Sequence, residues 1–89
     1  MAARGLIDRF LEMMQAERGA ARNSVLAYGR DLEDYGVFLA ARGRSAVDAS
    51  SDDLRGYLAE LESRGMARTS TARKLSAIKQ FHLFLAGEG

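Results

Sequence analysis

The chain has 89 residues, 28% of them charged, and a formal net charge of only +1. This length fits one compact domain, and a net charge so near zero gives no reason by itself to expect a nucleic-acid partner. Cysteine is absent and His82 is the single histidine, which excludes disulfides and thiolate metal sites. No apolar run is long enough for a membrane span or a signal peptide, so we expect a cytoplasmic protein without a cofactor.

The composition favours helix along the whole chain. Proline is absent, while Ala, Leu, Arg and Glu are abundant. These four residue types are strong helix formers, and little material is left for strands. The sequence therefore predicts a single all-α domain over residues 1–89.

Glycines mark the ends of the first two predicted helices. Helix one extends over residues 4–18, where apolar side chains recur at three- and four-residue steps, and Gly19 follows it. Helix two begins after Asn23 or Ser24, since either side chain can cap free backbone N–H groups, and it ends at Gly43.

The third predicted helix starts in the segment SSDDL, residues 50–54. Ser50 or Ser51 caps it, and the two aspartates that follow lie at the positive end of the helix dipole. Gly65 ends this helix. The predicted loops are short, as in packed helical hairpins.

Helix four takes its cap from Thr69 or Ser70 and extends to about Gly87. At about 100° of rotation per residue, one face is apolar and the opposite arc carries donors, cations and small side chains. The apolar face comprises Leu75, Ile78, His82 and Leu85. The outer arc comprises Thr69, Ser70, Arg73, Ser76, Ala77 and Gln80, with Lys79 at its edge and Lys74 between the two faces.

Charge is distributed unevenly along the chain. Residues 1–62 hold eight basic and eleven acidic residues, whereas residues 63–87 hold five basic residues and no acid. A plain solvated helix usually alternates Glu with Lys or Arg. An acid-free arc instead suits the DNA major groove, where cations meet phosphates, Arg or Gln reach base edges, and small residues allow close approach. The pattern therefore favours DNA over a plain solvated surface.

A second acid-free segment, residues 18–30, opens helix two. It places Arg22, Asn23 and Ser24 around a helix N-terminus, which is a natural phosphate site, although Ser24 alone also fits an ordinary N-cap. The ring of Tyr28 lies on the apolar stripe, with its hydroxyl expected near the surface.

No catalytic constellation is evident. His82 lies on an apolar face, so a packing histidine is expected there and not a general base. Arg73 has no acid nearby in sequence, so we expect it to be unpaired. The arginines of three Arg-Gly pairs are interpreted as ordinary charges at helix C-termini: Arg18, Arg42 and Arg64. The acids are expected to be solvated or to stabilise helix dipoles: Asp8, Glu12, Asp31, Glu33, Asp34, Asp52, Asp53, Glu60 and Glu62.

Two segments carry a family resemblance, NSVLAYGRDLEDYGVFL at 23–39 and TSTARKLSAIKQFHLFL at 69–85. Together they resemble the N-terminal core-binding, or SAM-like, domain of tyrosine site-specific recombinases and phage-type integrases, in particular of the Xer type. The segment SDDL at 51–54 also matches the usual start of helix three. The matching residues of the two segments are Ser24, Tyr28, Arg30, Asp31, Leu32, Arg73, Leu75, Ser76, Ala77, Lys79, Phe81 and Phe84.

This resemblance implies two crossed helical hairpins whose helices two and four face duplex DNA, as one half of a clamp completed by a separate catalytic domain. The family's catalytic residues belong to that other domain, so we expect no activity from this chain alone. We expect weak, sequence-tolerant DNA binding, contacts between recombinase protomers on DNA, and a monomer in isolation. A SAM-like protein-interaction module is the alternative.

Three residues depart from the family pattern or from good helix chemistry. Lys74 stands where the family often has an apolar residue. Gly29 and Gly36 inside helix two each cost about 1 kcal/mol relative to alanine and predict a less rigid helix. The expected DNA contacts, from charge and resemblance together, are Arg22, Asn23, Ser24, Tyr28, Arg30, Arg68, Thr69, Ser70, Arg73, Lys74, Ser76, Lys79 and Gln80.

Overall fold

The computed structural model describes the backbone of residues 2–88 and the side chains of residues 5–17 and 19–87. Helices α1 to α4 span Ala2–Arg18, Arg22–Ala41, Ser51–Ser63 and Arg68–Glu88, and a 3₁₀ turn at Ala46–Asp48 lies between α2 and α3. No strand occurs within the described backbone. The predicted all-α fold is confirmed, whereas the 3₁₀ turn was not predicted.

Three helices end at the predicted glycines. Gly19, Gly43 and Gly65 have φ values of 59°, 72° and 70°, a left-handed conformation that an L side chain rarely adopts. The side chain of Arg18, which we interpreted as a C-terminal charge, lies outside the described residues.

The predicted N-terminal caps are right for one helix and wrong for two. Ser50 caps α3, because its hydroxyl accepts a hydrogen bond from the Asp53 backbone N–H at 3.2 Å and the Asp53 carboxylate accepts one from the Ser50 N–H at 2.9 Å. By contrast, α2 begins at Arg22, with Ala21 at the cap position and no side-chain cap, and α4 begins at Arg68. The residues predicted as caps there lie inside the first helical turns: Asn23, Ser24, Thr69 and Ser70.

The core forms around α2, which packs against α1, α3 and α4. Its buried side chains meet aromatic residues of the other helices, for example Tyr35 and Tyr57, whose ring centroids are 5.2 Å apart. Phe10 of α1 packs on Phe81 of α4 at 5.5 Å. All four rings are at most 1% exposed. These contacts hold α3 against α2 and α4 against α1. Together with the direct packing of α4 on α2, they determine which side of α4 faces outward.

The buried face of α4 differs from the predicted one. Ala77, predicted on the outer arc, is fully buried together with Ile78 and Phe81, and Lys74 is only 8% exposed. Ala77 lies one turn from Arg73 and from Gln80, both of which contact α2. A small side chain at this point lets the two helices approach closely. The inner face therefore turns toward α2.

Gly29 and Gly36 leave α2 continuous from Arg22 to Ala41. A Cβ atom at Gly29 would lie 3.2 Å from Cδ1 of Leu11, whereas one at Gly36 would meet nothing within 4 Å. Gly29 therefore serves the close approach of α1 to α2, and Gly36 has no such packing role.

Candidate nucleic-acid interface

An ion-pair cluster joins the middle of α2 to the start of α4. Arg73 donates from Nε to Oδ2 of Asp31 at 2.9 Å and from Nη2 to Oδ1 at 3.1 Å. Lys74 donates from Nζ to the same Oδ1 at 3.0 Å. Two expectations are therefore wrong: Asp31 is 1% exposed and not a solvated surface acid, and Arg73 is not unpaired.

The cluster keeps Asp31 ionised in the interior. Burial raises the pKa of the Asp31 carboxyl, but the hydrogen bonds and positive charges of Arg73 and Lys74 outweigh burial and hold it below its ordinary value. One carboxylate and two cations leave a net charge of +1. The cluster therefore remains positively charged although it contains an acid.

Lys74 is the predicted DNA contact that the structure places farthest from solvent. Its side chain is 10% exposed and its ammonium group binds Asp31. The lysine therefore helps to neutralise a buried acid. With an apolar side chain at position 74, Asp31 would have Arg73 as its only partner. Its position between the two predicted faces of the helix is explained by this ion pair.

A second polar contact joins the same two helices farther along α4. Gln80 donates from Nε2 to the Ser76 hydroxyl at 3.2 Å and to the Tyr28 hydroxyl at 3.5 Å. We call the six residues of these two groups of contacts the α2–α4 seam: Tyr28, Asp31, Arg73, Lys74, Ser76 and Gln80. The structure thus brings five of the predicted DNA contacts together in this seam. Two of them, Arg73 and Lys74, bind Asp31, which was not a predicted contact.

The exposed face of α4 has a cation on each edge. Arg73 lies on the edge toward α2, where 46% of its side chain is exposed. Arg68 and Lys79 lie on the opposite edge, beside the α3 residues Leu58 and Leu54 respectively. Between the edges lie Thr69, Ala72 and Ser76, which we call the outer ridge. Of the other candidates on this helix, Ser70 is half-buried.

The candidates on α2 form a separate group. Arg22, Asn23 and Ser24 are exposed in the first turn of α2, a turn that contains no acid, and Arg30 is exposed two turns later. Within the described side chains, no hydrogen bond or ion pair joins Arg22, Asn23 or Ser24 to α4. Their backbone N–H groups lie at the positive end of the helix dipole, which suits an anion.

Acids elsewhere are engaged by arginines on the α3 side of the molecule. Asp34 accepts hydrogen bonds from Arg64 Nη1 at 3.0 Å and from the Tyr57 hydroxyl. Burial raises the pKa of Asp34, but these two bonds outweigh burial and lower it. Asp53 is 2% exposed, and its Oδ1 lies 3.2 Å from Nε of Arg42. The structural interpretation of Arg42 and Arg64 agrees with these ion pairs.

His82 has a packing role. Its Nε2 lies 3.0 Å from the Tyr35 hydroxyl, and burial lowers the pKa of the imidazole. Burial likewise raises the pKa of Tyr35 to about 12. Among the described side chains, no cluster of three or more His, Asp or Glu residues could hold a metal ion.

Membrane insertion has no support in the described helices. None of them combines the length and the apolar character that a membrane span requires.

Comparison with known proteins identifies the domain. Residues 7–89 match the family model described as the phage integrase N-terminal SAM-like domain. The chain belongs to this family. The predicted family resemblance and SAM-like fold class are thereby confirmed. No solved structure matches the chain.

Relatives of this SAM-like domain include proteins named tyrosine recombinase XerD. The chain is 54% identical over 83 residues to that of Rhizobium meliloti, covering 93% of this chain and 27% of the relative. It is 47% identical over 89 residues to that of Brucella abortus, covering 100% of this chain and 29% of the relative. It therefore spans little more than a quarter of the curated relatives it matches.

Proposed function

We propose that this SAM-like domain binds duplex DNA through the outer face of α4 and the first turn of α2, as the N-terminal clamp domain of a tyrosine site-specific recombinase. One observation supports this most strongly. The exposed face of α4 carries cations on both edges, and Asp31, the acid that contacts it, is 1% exposed and neutralised. A phosphate backbone would meet positive charge there, and residues 68–87 of α4 contain no acid.

The dimensions of this face suit the major groove. A helix with its side chains is about 10–12 Å across and the groove is about 12 Å wide, so α4 would fill it. The small side chains of the outer ridge would allow close approach to the base edges. Arg73 on one edge and Arg68 and Lys79 on the other would then reach phosphates of opposite strands.

The relatives support the wider role. Those compared are named tyrosine recombinases, and this chain covers the part that matches the N-terminal SAM-like family model. We propose that the full-length protein is such a recombinase and that its protomers contact one another on DNA. The isolated domain is proposed to be a monomer that binds DNA with little sequence preference.

A protein-interaction role is the second candidate, favoured by apolar side chains at the surface. Leu83 is 72% exposed and Val37 is 70% exposed. Single exposed apolar residues are common on monomeric proteins, and these two lie on different helices. DNA binding therefore accounts for more of the described surface.

Titration of the domain with a short duplex, followed by NMR, tests the proposal. Amide shifts should cluster on residues 68–80 and on the first turn of α2, and affinity should fall steeply with added salt. A dissociation constant of roughly 10⁻⁴ to 10⁻⁶ M at physiological salt is expected for sequence-independent contacts. Shifts confined to α1 and α3, or binding that salt does not weaken, would contradict it.

A further inference from the structure

The guanidinium group of Arg73 has a bound edge, which is hydrogen-bonded to Asp31, and an open edge on its other side. A guanidinium group carries five N–H donors in a rigid plane. Asp31 occupies two of them, one on Nε and one on Nη2. The remaining donors, two on Nη1 and one on Nη2, have no acceptor among the described residues, and the side chain is 46% exposed. The open edge is therefore available to an anion.

The carboxylate on the bound edge is shielded from solvent. The Asp31 side chain is 1% exposed, so an incoming phosphate would not approach it directly. Lys74 also binds Asp31 and supplies the second positive charge. The phosphate would thus meet a cluster of net charge +1 whose acid lies behind the guanidinium.

The guanidinium is held from two helices at once. Its own backbone lies in α4, and the carboxylate that orients it lies near the middle of α2. The Gln80–Tyr28 contact joins the same helices about two turns farther along α4. The open edge of Arg73 consequently has a fixed direction relative to the proposed DNA face.

We infer that Asp31 is a positioning residue that, through Arg73, maintains a preformed phosphate-binding fork at the α2–α4 seam. This inference rests on the proposed DNA-binding function and adds a residue that does not itself touch DNA. Ordering a long side chain before binding lowers the entropy lost on binding. Asp31 therefore promotes phosphate binding by Arg73 and does not compete with it.

Two charge-conserving substitutions test the inference. Arg73→Lys keeps the charge and an ion pair to Asp31, but removes the planar fork that contacts acid and phosphate on different edges. Arg68→Lys is the matched control, because no ion pair holds Arg68 within the described structure. With a labelled mixed-sequence duplex, Arg73→Lys should lower affinity about threefold to tenfold and Arg68→Lys by less than about twofold.

NMR of the arginine Nε–Hε groups supplies a readout that a merely structural role would not change. In the free domain the Arg73 Hε should exchange slowly with water, because it is hydrogen-bonded to a buried carboxylate. It should keep its resonance position at saturating duplex, since Asp31 stays bound. Movement of that resonance toward the position of exposed arginines would show that DNA displaces Asp31, and would overturn the inference.

The possible failures are distinguishable. If the parent domain shows no salt-dependent binding to the duplex, the proposed function is wrong and the inference falls with it. If the parent binds but Arg73→Lys and Arg68→Lys have equal effects, DNA binding stands and the positioning role of Asp31 is wrong. Thermal melts of both variants identify any loss of affinity that reflects unfolding.

Discussion

Arg73 of α4 and Asp31 of α2 lie 42 positions apart in sequence and form a two-point ion pair with one buried and one exposed partner. The carboxylate belongs to the core, and the guanidinium belongs to both the core and the surface. A single residue therefore contributes to stability and to the proposed DNA face. Substitutions of Arg73 must be measured for both.

Arg73→Ala should destabilise the domain. It removes two charge-assisted hydrogen bonds from Asp31 and leaves that buried carboxylate with Lys74 alone. A loss of about 1–3 kcal/mol in the free energy of unfolding is expected for such a group. This exceeds the 0.5 kcal/mol or so that an unpaired surface arginine would cost. Urea denaturation of Arg73→Ala beside Arg68→Ala measures the difference, and equal losses would contradict it.

Much of the fold could be predicted from the sequence because its signals are local. Glycine at a left-handed position and the Ser50–Asp53 capping box each depend on a few adjacent residues. The starts of α2 and α4 could not be predicted in this way. Neither helix begins after its predicted capping residues. In α2 the Val25 N–H bonds to the Ala21 carbonyl at 3.0 Å, so the helix begins at Arg22, before both predicted caps.

The spacing of Asp31 along α2 indicates a buried position, although its charge favours the surface. Asp31 lies three residues after Tyr28 and four before Tyr35, which is the spacing of a buried helix face. Its partners could not be identified from sequence, because Arg73 and Lys74 meet it only through the packing of α4 on α2. The same packing buries Ala77, so the outer arc was predicted with the wrong centre.

Acid should weaken the domain partly through Asp31. Its folded-state pKa is lower than its unfolded value of about 3.8, so the unfolded chain binds more protons as pH falls. The stabilisation is therefore complete well above pH 4 and is lost as pH falls through the folded-state pKa. Urea denaturation at a series of pH values should show this loss in the parent.

Asp31→Asn is the matched variant for that measurement. It should be less stable than the parent at neutral pH and should lose less stability below about pH 4, since one titrating carboxylate is gone. The variant should keep part of the acid dependence of its stability, because the pKa of Asp34 is also lowered. An unchanged acid dependence would show that Asp31 does not titrate with unfolding.

Alanine substitutions at the two glycines inside α2 should differ in effect. Gly36→Ala should stabilise the domain by about 0.5–1 kcal/mol, because a Cβ meets nothing there and alanine favours helix. Gly29→Ala should gain less, since its Cβ would lie 3.2 Å from Leu11 Cδ1 and that side chain must move. Thermal melts of both variants test this, and equal stabilisation would show that Leu11 accommodates the new methyl group freely.

Arg64→Ala separates folding from DNA binding. Arg64 lies between α3 and α4 and donates to Asp34 and Glu60, each at 3.0 Å. Asp34 is partly exposed and keeps its bond to the Tyr57 hydroxyl, so the expected loss of stability is about 0.5–1.5 kcal/mol.

DNA affinity should hardly change in Arg64→Ala, because both of its charge partners are acids of α2 and α3 and it contributes nothing to the outer face of α4. Arg73→Ala should instead reduce the slope of log affinity against log salt by about one unit, the value for one lost phosphate contact. Fluorescence anisotropy at several salt concentrations compares the two variants under conditions where both remain folded. If Arg64→Ala reduces the slope as much as Arg73→Ala does, the DNA-binding face extends to the α3–α4 junction and is not confined to the outer face of α4 and the start of α2.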